Sequence, residues 1–283
     1  MTDAAQITIA PMEPAHLAQA HAMSQAVAWP HRREDWALVL GVSEAVVALQ
    51  GDKVVGTAIL SLLGDVGTMN MIIVDAAMRG RGLGRALMQT LLDRAGSMEL
   101  RLVATADGLP LYRKLGFQAV GEVAQYQGVA QAQAPEQPVR EGTPEDLAVL
   151  LAADRAATGM ERSRVLHEIA AQGEVIATQG GVAMIRAFGR GHVIGPILAA
   201  DDRAARALLS EAACRAAGQF LRVDFAPEHA LADHAKALGL HHAGGGIAMV
   251  RPAGERARTR DRAAAPAQSL ELKTYALVSQ ALG

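Results

Sequence analysis

The most informative stretch of the chain is residues 71–88, MIIVDAAMRGRGLGRALM. It begins with apolar residues in succession, which is typical of a strand buried on both faces. A loop with glycines at Gly80, Gly82 and Gly84 follows. From Leu83 onward, apolar residues recur at the spacing of one face of an amphipathic helix. The sequence therefore predicts a strand, a glycine-rich loop and a helix in direct succession.

A loop of this kind is suited to bind a phosphate or pyrophosphate. The first N–H groups of a helix lack partners within it and lie at the positive end of its dipole. Arg79, Arg81 and Arg85 would add charge-assisted donors. The Gly-Lys-Ser/Thr of a Walker loop is absent, and the glycine spacing does not match the dinucleotide pattern G-x-G-x-x-G.

Arg79, Gly82 and Gly84 form an Arg-x-x-Gly-x-Gly pattern, which resembles the pyrophosphate loop of the Gcn5-related N-acetyltransferases (GNAT enzymes). Residues 105–117, TADGLPLYRKLGF, look like the last motif of that family, in which a tyrosine, here Tyr112, precedes Leu-Gly-Phe. The resemblance extends over residues 6–127. One departure is Thr105, which stands where many family members have asparagine.

The resemblance implies an N-acetyltransferase that uses acetyl-coenzyme A and no metal. In the family, the strand before the loop splays from its neighbour, and the pantetheine arm lies in the gap. Backbone N–H groups there can stabilise the oxyanion that forms when an amine attacks the thioester. Tyr112 would be the general acid that protonates the coenzyme A thiolate. The residues implied to bind the cofactor are Ile72, Ile73, Val74, Arg79, Gly80, Arg81, Gly82, Leu83, Gly84, Arg85 and Thr105.

The group that removes a proton from the amine is less clear. Family members often carry glutamate on the strand before the loop, but residues 68–74 include no carboxylate. Asp75 is interpreted as a turn residue. His31, Glu34 and Asp35 border the expected acceptor cleft, and a solvated charge at a helix start is favoured for each. A water chain without a single base stays open.

Four segments of the chain recur in the same order, offset by 121 to 130 residues. They pair residues 13–17 with 143–147, 48–51 with 177–180, 85–88 with 206–209 and 115–117 with 238–240. Together with the alternation of strands and helices, the repeat predicts a mixed α/β protein of two tandem GNAT-like domains. We expect the domains at residues 1–128 and 139–283, with a polar linker at 129–138.

The second copy is expected not to bind coenzyme A. At an offset of 121, Arg203 corresponds to Gly82 and Ala205 to Gly84, and two carboxylates, Asp201 and Asp202, stand where phosphates would lie. No tyrosine corresponds to Tyr112. Ordinary surface charge is the favoured interpretation of the polar residues of this copy, which are Asp154, Arg155, Glu161, Arg162 and Asp224. Residues 256–268 are expected to be a flexible connection, and residues 270–282 a final helix.

Composition excludes several classes of protein. The 27 basic and 29 acidic side chains nearly balance, so neither nucleic acid nor an anionic membrane is expected as a partner. One cysteine, Cys214, cannot form an internal disulfide, and no signal peptide or membrane span is apparent, so a cytoplasmic protein is expected.

The leading hypothesis is an acetyl-coenzyme A-dependent N-acetyltransferase that acts on a primary amine of a small molecule or peptide. The alternatives are a non-catalytic acyl-coenzyme A-binding or regulatory protein and, less consistent with the intact loop, a scaffold. The sequence leaves open the acceptor, the acyl chain length and the oligomeric state, a homodimer included.

Overall fold

A computed structural model describes residues 6–226, 231–254 and 271–283. The first half of the chain contains β1 (Ile7–Pro11), α1 (Leu17–Ala26), α2 (Arg33–Gly41), β2 (Ser43–Gln50), β3 (Lys53–Leu63), β4 (Val66–Val74), α3 (Leu83–Ala95), β5 (Glu99–Ala104), α4 (Leu109–Lys114) and β6 (Gln118–Val129). The second half contains β7 (Val139–Glu141), α5 (Pro144–Thr158), α6 (Ser163–Gln172), β8 (Glu174–Thr178), β9 (Gly181–Phe188), β10 (Gly191–Ala199), α7 (Asp202–Arg215), β11 (Phe220–Phe225), α8 (Ala232–Ala237) and β12 (His241–Arg251), followed by β13 (Lys273–Ala276).

Up to β12, the two halves run through the same order of strands and helices, so the predicted tandem repeat and mixed α/β class are confirmed. In the described part of the chain, no helix has both the length and the apolar character needed to cross a bilayer.

The strands of both copies form one sheet, in the order β1-β2-β3-β4-β5-β12-β6-β11-β13-β10-β9-β8-β7. The last strand of each copy pairs with strands of the other copy. Strand β12 of the second copy lies between β5 and β6 of the first, and residues 124–129 of β6 pair with β11 of the second. The copies are therefore separate in sequence but interleaved in the sheet, and the boundaries at 129–138 stay a prediction about the sequence repeat.

Helices cover both faces of this sheet. On one face, α3 packs on β2, β3 and β4 through Leu87, Met88 and Leu91. On the other face, α2 and α6 contribute to a single apolar cluster that includes Trp36 and Ile169. A core shared by both copies explains why they form one body.

The prediction of surface charge is wrong for Asp154, Arg162 and Asp224, all of which are buried. Arg162 is fully buried and donates through Nε and Nη2 to the Asp154 carboxylate at 2.7 and 2.6 Å. Its Nη1 donates to the backbone oxygens of Leu282 and Gly283 at 2.7 and 2.6 Å. This arginine satisfies partners on two distant segments, which explains how a charge is tolerated in the interior. Arg155 and Glu161 do form an exposed ion pair, as expected.

Replacing Arg162 with methionine is expected to lower the free energy of unfolding by about 3–5 kcal/mol, because Asp154 would remain buried without its partner. Urea unfolding followed by circular dichroism measures the change. Arg155→Met is the matched control and should cost less than about 1 kcal/mol, since its ion pair is exposed. Equal losses in the two variants would contradict the role given to Arg162.

The predicted final helix is also wrong. Residues 273–276 form strand β13, which pairs with both β10 and β11. Alanine and leucine near the end of the chain favour a helix, but β10 and β11 diverge and leave backbone groups at their edges that a further strand can satisfy. Tertiary pairing therefore overrides local propensity here. The flexible connection predicted at 256–268 lies outside the described residues.

Candidate functional site

Strands β4 and β5 diverge where the sequence predicts a binding gap. They pair in parallel only from Val66–Glu99 to Thr68–Arg101, and beyond Thr68 they separate. Met71 has a positive φ of 49°, and the register between β3 and β4 shifts next to it. The Thr57 hydroxyl donates to the Met71 carbonyl at 2.7 Å and holds this bulge in place. We call the gap between β4 and β5 the first cleft.

Backbone N–H groups of β4 face the first cleft. The Asp75 N–H donates to the Val55 carbonyl of β3 at 3.0 Å. Because successive N–H groups of a strand point to opposite edges, those of Val74 and Ile72 face the edge from which β5 has separated. The N–H of Ile73 faces β3 instead. Two donors, spaced two residues apart, are thus available to a ligand in the cleft.

The glycine loop leads from this edge to the N-terminus of α3. Gly80 and Gly82 have φ values of 77° and 76°, and a Cβ at either would meet no atom within 4 Å. Glycine is therefore required there by the backbone conformation and not by crowding. Gly82 is the N-cap of α3 without a side-chain cap, and the first helical bond comes from the Ala86 N–H. The N–H groups of Leu83, Gly84 and Arg85 precede that bond and form the expected anion site.

Positive side chains surround the same loop. Arg81 and Arg85 are exposed. Arg79 is also exposed and lies 3.7 Å from the carboxylate of Asp107, which is 83% exposed. Such a pair is weak in water, so a bound phosphate can displace Asp107. Thr105 is exposed at the end of β5, where its hydroxyl is 3.4 Å from the Gly108 N–H.

Tyr112 is buried on α4, behind the loop. Its ring packs edge-on against Phe117, and a Cβ at Gly108 would lie 3.1 Å from the tyrosine hydroxyl. Burial raises the pKa of Tyr112 to about 12. The hydroxyl is therefore protonated at neutral pH and can donate a hydrogen bond.

The base candidates separate into different environments. Asp75 accepts from the Ala77 N–H at 2.9 Å and pairs with Lys53, which agrees with a turn residue. Glu34 is exposed. Asp35, however, is buried, so a solvated charge is the wrong interpretation for it. Burial alone would raise the pKa of Asp35, but hydrogen bonds from Arg32 outweigh burial and lower it.

Asp35 joins the two copies. Besides Arg32, it accepts from Arg186 of β9 at 3.3 Å and from the Gly189 N–H at 3.3 Å. Arg32 in turn donates to the Ala187 carbonyl at 2.9 Å. These partners lie more than 150 residues away along the chain, so local sequence could not indicate that Asp35 is buried.

His31 is likewise not a solvated residue. Its ring packs edge-on against Phe188 of the second copy, with 5.3 Å between centroids. Burial, followed by the nearby charges of Arg222 and Arg186, lowers the pKa of His31 to about 4, although Asp35 opposes the shift. The imidazole is therefore neutral at pH 7.

A cavity of about 650 Å³ opens beside the first cleft, and both copies line it. We call it the junction cavity. Its walls include Asn70 and Met71 of β4, Thr105, Gln125 and Gln127 of β6, His31 and Trp29, Phe188, Arg190 and Arg222 of the second copy, and Ser279 and Gln280. The cavity therefore adjoins the splayed strand β4, and neither copy alone could enclose it.

Acetyltransferase (GNAT) domain models match residues 42–119 and 150–263. The chain is 30% identical to the Bacillus subtilis protein named uncharacterized N-acetyltransferase YitH over 239 aligned residues, and this alignment covers 79% of each chain. The chain belongs to the GNAT acetyltransferase family.

Other relatives agree with this GNAT assignment. The N-alpha-acetyltransferase RimI of Mycobacterium tuberculosis is 37% identical over 113 residues, which are 38% of this chain and 72% of the relative. A putative acetyltransferase from Pyrococcus horikoshii has the same fold, with a TM-score of 0.78, 19% identity and coverage of 98% of this chain and 96% of that one. The likeness in fold therefore extends over nearly the whole of both chains.

The second GNAT copy lacks an open cleft. Strands β10 and β11 pair in parallel at residues 192–194 and 221–223 and then diverge, as β4 and β5 do. Strand β13 lies in this second cleft, pairing Ala276 with Ile197 on one side and with Phe225 on the other. The chain itself thus occupies the place that corresponds to the first cleft.

The N-terminus of α7 is closed to an anion as well. Its N-cap is Asp201, whose carboxylate accepts from the Ala204 N–H at 2.9 Å. Asp202 accepts from the hydroxyl of Tyr275 of β13 at 2.8 Å. Since Gly82 and Asp201 are both N-caps, Asp201 is the structural counterpart of Gly82, two residues before the predicted Arg203.

Proposed function

We propose that this chain transfers an acetyl group from acetyl-coenzyme A to a primary amine of a small molecule or peptide, and that only the first cleft binds the cofactor. The observation that carries the proposal is the uncapped N-terminus of α3 next to the splayed edge of β4. Acetyl-coenzyme A supplies the acetyl group as an activated thioester. The loop suits its pyrophosphate, because Gly80 and Gly82 leave open space at the surface and three arginines lie nearby.

The chain's own groups then have distinct roles. The N–H groups of Ile72 and Val74 would donate to a carbonyl oxygen in the first cleft and stabilise negative charge there. Tyr112 would donate a hydrogen bond to the departing sulfur. The pKa of Tyr112 is about 12 and that of a thiol is ~8.5, so proton transfer from Tyr112 to the thiolate is uphill. Tyr112 would therefore stabilise the departing sulfur through the hydrogen bond itself. In the described part of the chain, no carboxylate lines the junction cavity, so we assign deprotonation of the amine to water.

Isothermal titration with acetyl-coenzyme A tests the proposal. We expect one equivalent to bind per chain, because β13 fills the second cleft. Two equivalents would contradict the role of β13, and no binding would contradict the function itself. Thiol release with a panel of amines then distinguishes an enzyme from an acyl-coenzyme A-binding regulator, which would bind the cofactor without turnover.

A further inference from the structure

The junction cavity is positively charged. Among the described residues that line it there is no aspartate or glutamate, whereas Arg190 and Arg222 contribute to its wall. Arg32 and Arg186 pair with Asp35, and Arg222 pairs with Asp224, so two carboxylates serve these four guanidinium groups. The excess of positive charge favours an anionic group in the bound molecule.

Arg222 is held in a fixed orientation. It is buried and donates through Nε and Nη2 to the carboxylate of Asp224 at 3.0 and 2.9 Å. Asp224 is itself held by Gln280, which donates at 2.9 Å. The guanidinium also lies 5.2 Å from the centre of the Phe188 ring. Nη1 takes no part in the pair with Asp224, so it is positioned to donate to a ligand in the cavity.

Arg190 offers a second cation at the same cavity. Its guanidinium lies 4.5 Å above the ring of Phe220, which restrains the side chain without neutralising it. In residues 6–226, 231–254 and 271–283, no carboxylate forms an ion pair with Arg190. A carboxylate held between two arginines is a common mode of recognition, since each guanidinium offers charge-assisted donors.

The wall next to the first cleft carries the opposite kind of polar group. Asn70 is buried on β4 beside the Met71 bulge, and its amide nitrogen donates to the Ser61 hydroxyl and to the Thr68 carbonyl at 3.0 and 3.3 Å. A carbonyl only accepts, so the amide orientation is determined. Asn70 Oδ1 is then a buried acceptor without a partner among the described residues. An amine of the ligand would satisfy it.

We propose that the acceptor carries a carboxylate as well as the amine, as an amino acid or short peptide does. Arg190 and Arg222 bind the carboxylate, and Asn70 directs the amine toward the first cleft. This inference rests on the proposed function, because it names the acceptor of the same site. It disfavours polyamines and other acceptors that carry only positive charge.

Matched acceptors test the carboxylate directly. The kcat/KM of thiol release is measured for each amino acid, for the corresponding amino acid amide, for dipeptides and for spermidine. We expect the carboxylate to raise kcat/KM about 10- to 100-fold over the amide. Comparing amino acids with dipeptides shows whether the acceptor that carries the carboxylate is a free amino acid or a short peptide. A preference for amides or spermidine would overturn the inference while leaving the acetyltransferase function intact.

Variants locate the effect. Arg190→Gln is the main variant, because Arg190 is exposed and the substitution should not disturb folding. It should raise KM for the amino acid, change kcat little and reduce the preference over the amide to about 3-fold or less. Arg155→Gln, on the exposed surface of α5, is the control and should leave the preference unchanged. An unchanged preference in Arg190→Gln would overturn the assignment.

A binding measurement makes the inference independent of turnover. N-acetyl amino acids and their amides are titrated into the full chain saturated with coenzyme A. Tighter binding of the carboxylates, weakened about 10-fold or more by Arg190→Gln, supports the inference even if no amine is acetylated. If the carboxylates bind in this way but no amine is acetylated, the proposed function is wrong and the inference about the cavity stands. Binding of coenzyme A without any preference for the carboxylates overturns the inference alone.

Discussion

Replacing Gly82 with aspartate is expected to lower the affinity for acetyl-coenzyme A by at least about 100-fold, with a modest loss of thermal stability because residue 82 has a positive φ of 76°. The substitution gives the first copy the residue that caps α7 in the second. An aspartate there would place a negative charge at the N-terminus of α3, where the pyrophosphate is expected. Two unit charges ~4 Å apart repel by about 4 kcal/mol at an effective dielectric constant of ~20, and each 1.4 kcal/mol is worth tenfold in affinity.

Gly218→Asp provides a matched control for Gly82→Asp. Gly218 has the same φ of 76°, and a Cβ there also meets nothing within 4 Å, but it lies beyond α7 in the second copy. It should retain wild-type affinity in calorimetry. If Gly82→Asp also bound normally, the N-terminus of α3 would not be the pyrophosphate site. If both variants lost binding together with thermal stability, backbone strain and not charge would be responsible.

Replacing Tyr112 with phenylalanine is expected to lower kcat for acetyl transfer by about 100-fold or more, with the Kd for acetyl-coenzyme A changed less than about 3-fold. Removing one donor to developing negative charge costs ~10²–10³-fold, and the ring would still pack against Phe117 and over Gly108. Because burial raises the pKa of Tyr112 to about 12, the loss should be constant between pH 6 and 9. Stopped-flow detection of free thiol gives kcat, and calorimetry gives Kd.

Tyr126→Phe is the control for Tyr112→Phe. Tyr126 is equally buried, with 7% of its surface exposed, and packs on Phe225 in the core of the second copy. It should retain the wild-type kcat. A Tyr112→Phe variant with full activity would show that Tyr112 only fills space behind the loop.

Local patterns account for the first copy and for the cofactor loop. The apolar run of residues 53–63 and the turn at Gly51 are sufficient to predict the Lys53–Leu63 strand. The glycine spacing and the periodic leucines identified the start of α3. Each of these signals depends on residues that are close in sequence, so a single chain contains all the information that they require.

The rest of the site depends on partners that are distant in sequence. His31 and Asp35 are polar residues near a helix start, and Phe188 and Arg186 of the second copy contribute to their burial. The exchange of β6 and β12 leaves no local signal, because each strand would also be a satisfactory strand within its own copy. A carboxylate-binding wall around Arg222 therefore could not be predicted from residue types alone.

Strand β13 also shows that the two copies have different structural roles. The few residues that follow it, Ser279 to Ala281, form part of the wall of the junction cavity. A second coenzyme could enter between β10 and β11 only by expelling β13, and the expulsion would displace that wall. The segment that contains β13 and Ser279 to Ala281 therefore cannot leave the second cleft open to a coenzyme and also complete the wall of the junction cavity. In the proposed enzyme, the second copy therefore contributes wall residues to the acceptor cavity and has no cofactor cleft of its own.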